Sequence, residues 1–280
     1  MKIIACIDAS QYATSVVDHA AWVAARLHAT VEVLHVIQRK DAVAARHDLS
    51  GAVGLGAKSG LMEELTLIDE ADAKLAREQG NILLRAAGER LNEAGVRSEL
   101  CHRHGGIVET VIEREADADL VVIGKRGASA DFAKGHLGSK IERVVRQSAK
   151  PVLVASRTFR DIHRALIAFD GGPTSKKAVG FAATSPLLDK VELHLTIAGA
   201  ETDRNRDSLR WAQEVLGERC VRAEIVPGDA DGVLVAAAGQ CRADLVITGA
   251  YGHSPIRTLI VGSTTTAILR GIALPVLLFR

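Results

Sequence analysis

The sequence predicts an α/β protein of two like halves, each an open, mostly parallel five-stranded sheet flanked by helices. Three observations carry this. Apolar runs such as Ala118–Ile123 and Ala243–Thr248 show no polar alternation, the mark of parallel strands buried on both faces. Strand-like and helix-like segments follow one another as βαβαβαβαβ, twice, an order that forces right-handed crossovers and a parallel sheet. The chain has 280 residues, more than one core comfortably organises, and the two halves are placed at 1–156 and 162–280. The linker from Ser156 to His163 holds charged and polar residues without glycine or proline, so the halves are expected to pack on each other.

Each element has a local reason. Ile3–Asp8 and Ala165–Asp170 are short apolar strands that end in an acid. Helix-forming sequence follows at Ala13–Leu27 and Ser175–Ala183, then second strands at Val31–Ile37 and Val191–Ile197. Here the halves part. The first carries a long stretch, Gln38 to Gly95, with a glycine-rich segment Gly51–Gly60 read as a mobile loop and helical sequence from Leu61. The second has one helix, Asp203–Leu216. Third strands are expected near Ser98–His102 and Val221–Pro227, helices at Ile107–Glu115 and Gly232–Cys241, and then the two apolar runs. Helices Lys140–Arg146 and Thr264–Arg270 and closing strands Lys150–Val154 and Leu274–Leu278 complete the repeat.

Composition excludes several functions. Lys plus Arg number 35 against 34 Asp plus Glu, so no global field draws the chain to nucleic acid or anionic lipid. Aromatics make up 3% of residues, too few for base-stacking platforms. The first apolar run meets Asp8 too early for a leader, and no run approaches a membrane span, so a cytoplasmic protein is expected. Cys6, Cys101, Cys220 and Cys241 lack metal-ligand spacing and are expected as reduced thiols, with no zinc and no disulfide.

The chemistry lies after the apolar runs. Gly249 and Gly252 are followed by nine residues and then Gly262-Ser263; Gly124 and Gly127 are followed by ten and then Gly138-Ser139. Such glycines are expected to take φ > 0 and to leave no Cβ between peptide N–H groups and an anion. Ser139 and Ser263 are candidate N-caps, and a helix start presents unpaired N–H donors to a phosphate. Asp8 and Asp170 recur at the same topological point, on the crevice side of the sheet. Either they accept hydrogen bonds from a ligand amine or hydroxyl, or they shape the turn and cap the helix. Around the loops, Lys125, Arg126, Lys134 and His136 accompany Asp131 in the first half, and His253 and Arg257 stand in the second; either set could hold a polyphosphate.

Three patterns are decoys. Gly51 to Ser59 nearly spells a phosphate loop, but Lys58 is displaced by Ala57 and no buried strand precedes it. His102 and His104 flank Arg103 at a strand end, and two imidazoles without a nearby carboxylate or Cys pair read as polar residues beside the crevice, where Arg103 or His104 could approach a ribose or phosphate. Asp170-Gly-Gly-Pro-Thr-Ser175 is reminiscent of the loop of adenylating pyrophosphatases, yet Asp170 stands where that loop has serine and would repel pyrophosphate.

On these residues the chain resembles a tandem universal stress protein over nearly its whole length. The family's signature, GxxG, nine residues, then Gly with Ser or Thr, is matched in full by Gly249, Gly252, Gly262 and Ser263, and with one extra residue by Gly124, Gly127, Gly138 and Ser139. The resemblance implies an adenine nucleotide alpha hydrolase-like, Rossmann-like fold and a site for ATP or another adenine nucleotide. In that site Asp8 and Asp170 read the base, the second-strand backbone near Val36 or Thr196 contacts it, and the glycine loops with His253 and Thr264 beside them hold ribose and phosphates. Whether Mg2+ accompanies the ligand is left open. It further implies that Val152–Ala155 and Val276–Phe279 pair internally as a pseudo-dimer, with a homodimer and an unidentified protein partner as further assemblies. A regulator is expected, with slow ATP hydrolysis, an adenylating activity or an interaction module with vestigial sites as the alternatives.

Overall fold

A computed structural model of the chain describes residues 1–37, 55–127, 139–250, 268–269 and 271–280, side chains at 55–65, 69 and 139 excepted. The first half runs β1 (Lys2–Ile7), α1 (Ala13–Leu27), β2 (Thr30–Ile37), α2 (Leu55–Glu93), β3 (Ser98–His104), α3 (Ile107–Arg114), β4 (Leu120–Gly124), α4 (Ser139–Gln147) and β5 (Val152–Ala155). The second runs β6 (Arg164–Ala168), α5 (Pro173–Thr184), β7 (Glu192–Ala198), α6 (Asp203–Leu216), β8 (Cys220–Val226), α7 (Ala230–Gln240), β9 (Leu245–Gly249) and β10 (Val276–Phe279).

Each half contributes five mutually parallel strands, and the last strands pair, as the resemblance implied. The result is one ten-stranded sheet in the order β3-β2-β1-β4-β5-β10-β9-β6-β7-β8. The β5–β10 pair alone is antiparallel, with Leu277 opposite Leu153 and Val276 opposite Val154. Because every other neighbour is parallel, the carboxyl ends of β1–β5 and of β6–β10 lie at opposite edges of the sheet. A crevice at strand carboxyl ends therefore opens at each edge, facing opposite ways.

Alternation sorts the strand side chains between two layers. Ile3, Ala5 and Ile7 meet Val16, Val17, Ala20 and Val23 of α1, whereas Ile4 and Cys6 face Val108 and Val111 of α3 and Ile141 and Val144 of α4. Helix α1 ends where His28 adopts a left-handed conformation, φ 49°, and its N–H bonds to the Ala24 carbonyl. The halves are also tied outside the sheet. The Arg26 guanidinium donates to the Leu187 carbonyl at 3.3 Å and to the Asp189 carbonyl at 2.7 Å.

Helix α2 departs from expectation. It begins at Leu55, so Gly56 and Gly60 are helical, and only Gly51–Gly54 of the expected mobile loop lies outside the described residues. Leu84, Ala87 and Leu91 bury one face of α2 against the core, whereas Leu67, Ile68 and Leu75 are exposed.

No helix among the described residues is long and apolar enough to cross a membrane. Leu277 is fully buried at the seam. Leu277→Ala should cost about 2–5 kcal/mol of unfolding free energy, read from denaturant midpoints. A loss under about 1 kcal/mol would mean that the seam is not a core.

Candidate functional site

In the first half, β1 delivers Asp8 to the crevice edge, where its Oδ1 accepts the Ser10 N–H at 3.1 Å. Strand β4 delivers the glycine loop beside it. A Cβ on Gly127 would stand 2.9 Å from Asp8 Oδ2, and one on Gly124 would stand 2.7 Å from the Tyr12 Cβ at the start of α1. The glycines thus let the loop, the acid and the helix start share one small volume. Gly124, Gly127 and Gly249 are absent from the left-handed region, so the expected φ > 0 is corrected: here the missing Cβ matters, not the dihedral.

Lys125 is turned away from the crevice expected of it. Its Nζ donates to the Ile272 carbonyl of the other half, and burial, with repulsion from Arg126, pushes the ammonium down to about 8. Helix α4 starts at Ser139, one residue before the expected Lys140, so Ser139 is its first helical residue where an N-cap was expected; Gly138, Lys134, His136 and Asp131 lie outside the described residues.

In the second half Asp170 follows β6 and is exposed, and its turn is closed by its own carboxylate. Asp170 Oδ1 accepts the Gly172 N–H at 2.8 Å and the Ser175 hydroxyl at 2.5 Å, and Gly171 takes φ 73° to allow the bend. The turn-shaping role is therefore present. A Cβ on Gly249 would stand 2.5 Å from both the Ser175 amide nitrogen and Thr174 Oγ1. Thr174 Oγ1 is itself buried with no partner, an unsatisfied polar atom beside Gly249 that sequence reasoning missed. Gly252, His253, Arg257, Gly262, Ser263 and Thr264 lie outside the described residues.

The second-strand pair needs a correction. Thr30 N–H bonds the Met1 carbonyl as Glu192 N–H bonds the His163 carbonyl, so Thr30 and Glu192 are equivalent. Counting along the strands, Val36 corresponds to Ala198, not to Thr196. Thr196 sits two residues deeper, 2% exposed, with its carbonyl accepting the Phe169 N–H. Similar letters in both strands hid the shift; hydrogen-bond register reveals it.

Two further glycines form a matched pair that was also missed. Gly105 and Gly228, just past β3 and β8, adopt φ 138° and 135°. The Gly105-Gly106 and Pro227-Gly228-Asp229 dipeptide and tripeptide were the available signals. His102 and His104 lie in β3 with stacked rings 6.2 Å apart, and His102 bonds to His35 and Asn81. Among the described residues no group of three or more His, Cys, Asp or Glu is placed to hold a metal ion. All four cysteines are free thiols, and burial pushes the Cys6 thiol up to about 12.

Gly249→Ala should therefore lower unfolding stability by about 1–3 kcal/mol in a urea titration, through collision with the α5 main chain. An unchanged midpoint would contradict that close approach.

With this geometry established, comparison with known proteins gives consistent results. A family model described as the universal stress protein family matches residues 1–156 and 196–280. Universal stress protein Slr1230 of Synechocystis is 34% identical over 286 residues, covering 100% of this chain and 99% of its own. Universal stress protein Rv2005c of Mycobacterium tuberculosis is 27% identical over 196 residues, 62% of this chain and 65% of its own. Among solved structures, a universal stress protein from Archaeoglobus fulgidus superimposes with a TM-score of 0.73 at 22% identity, covering 100% of this chain and 98% of that one. One from Pseudomonas aeruginosa gives 0.68 at 18%, covering 99% and 92%.

Proposed function

The chain belongs to the universal stress protein family, and on that premise we propose that it binds ATP or another adenine nucleotide at the carboxyl edges of its sheet and acts as a nucleotide-dependent regulator. The supporting observation is the meeting of first-strand acid and glycine loop, with Gly127 directly against the Asp8 carboxylate. In this reading the acid accepts a hydrogen bond from the base and the bare loop amides and helix start face the phosphates. The second crevice is assigned as the principal one. Asp170 and the strand end at Ala198 face the base, and Gly249, Gly252, His253, Gly262, Ser263 and Thr264 surround ribose and phosphates. The first crevice, where Lys125 is committed to Ile272, is assigned weaker phosphate binding.

Regulation is favoured over catalysis by the Asp170 turn. The loop amide of Gly172 is already taken by a resident carboxylate, where an adenylating loop would offer it to pyrophosphate.

Isothermal titration with ATP, AMP and cyclic AMP, with and without Mg2+, tests this reading. Heat from at least one nucleotide is expected, and none from any would favour an interaction module. Release of AMP and pyrophosphate would instead restore an enzyme. Gly252→Val should reduce ATP affinity by about tenfold or more, because a branched side chain stands where phosphate approaches. Unchanged affinity would move the site to the first half. Asp170→Ala should weaken ATP more than inorganic triphosphate, and equal losses would contradict its role at the base.

A further inference from the structure

The internal two-fold is broken at one chemically telling place. His35 of β2 and His102 of β3 are register partners, and their counterparts in the second half, Ile197 and Ile225, are register partners too. An apolar pair in one half is thus an imidazole pair in the other, beside the first crevice. His35 Nδ1 and His102 Nε2 are 3.1 Å apart, and His102 Nδ1 lies 3.1 Å from Asn81 Oδ1 on α2.

The tautomers follow from the end of the chain. Asn81 Oδ1 only accepts, so His102 Nδ1 carries the proton, His102 Nε2 presents its lone pair, and His35 Nδ1–H donates to it. Helix α2 sits directly on this relay. A Cβ on Gly80 would stand 2.6 Å from His102 Nε2 and 2.7 Å from His35 Nδ1. Beyond Gly80 towards its start, the described α2 side chains from Thr66 to Gln79 are exposed, Ala76 alone being half-buried. Among the described α2 side-chain positions, Gly80 is the first from the helix start to be buried, and it packs on this relay.

We propose that this relay makes the first half a pH sensor, seating α2 at Gly80 beside the first crevice when neutral and unseating it there when both imidazoles are protonated. A first proton on His35 Nε2 leaves its Nδ1–H donating and breaks nothing. A second must go on His102 Nε2, which sets two N–H donors against each other across the His35–His102 bond; His102 Nδ1–H still donates to Asn81, so what is lost is the close ring pair on which Gly80 rests. The surroundings oppose that second charge. Burial holds both imidazoles below their usual range; the charge of His102 adds repulsion at His35, His104 of β3 and Arg77 of α2 add it at His102, and Asp8 at the end of β1 pulls the other way at His35. Folded-state values lie below the ordinary imidazole value of about 6.5, so the unfolded or released segment takes up protons first. The ring pair is intact above about pH 6.5 and is lost as pH falls through the folded-state values.

Amide hydrogen exchange of the full chain without nucleotide, at pH 7.5 and 5.0 and corrected for intrinsic rates, tests the sensor apart from the nucleotide reading. Residues 75–91 in the wild type should lose about tenfold protection or more at pH 5.0, and His35→Ile with His102→Ile, which installs the second-half pair, should change less than about twofold. Unchanged wild-type protection, or an equal loss in the variant, would overturn the proposal. Imidazole nitrogen NMR of the wild type gives an independent check should the variant fold poorly. Nδ1–H tautomers at both histidines at pH 7.5 are expected, and an Nε2–H tautomer at His102 contradicts the relay.

Discussion

The antiparallel pairing of β5 with β10 is the interaction on which the remaining architecture depends. Two parallel half-sheets would each leave an apolar last strand as an unpaired edge, which is a template for aggregation. Joining them removes both edges and fixes the relation of the crevices, back to back at opposite ends of one sheet. It also makes each crevice lean on the other half. Lys125 reaches the Ile272 carbonyl just before β10, and Arg280 reaches the Gln147 carbonyl just before β5, 3.1 Å away.

Within each crevice the organising constraint is steric. The strand that carries the glycine loop must pass within contact distance of the first turn after β1 or β6, and a Cβ at Gly124, Gly127 or Gly249 would collide with that turn. Absent side chains thus let loop and turn meet, and the buried core behind holds them in place. Leu120, Val122, Leu245 and Ile247, all essentially inaccessible to solvent, anchor the two strands that lead into the loops.

Much of this was legible in the sequence. Unalternated apolar runs gave β4 and β9, helical periodicity gave α1 and α6 at their observed bounds, and the family resemblance pointed to the paired last strands. What stayed hidden depended on register and on packing between distant segments. The equivalence of Val36 with Ala198 is set by main-chain hydrogen bonds that similar strand sequences mask. The start of α2 at Leu55 runs against two glycines whose low helix propensity reads as loop. The His35–His102 contact joins residues 67 apart, and the fate of Lys125 depends on a carbonyl 147 residues away. Local sequence carries no signal for either.

A crystal structure grown with ATP addresses the central claim most directly. The account predicts density for adenine beside Asp170 or Asp8, with phosphates against the adjoining glycine loop at the carboxyl edge of the sheet. Nucleotide bound elsewhere, or both crevices filled by the chain's own atoms at saturating ATP, would contradict it.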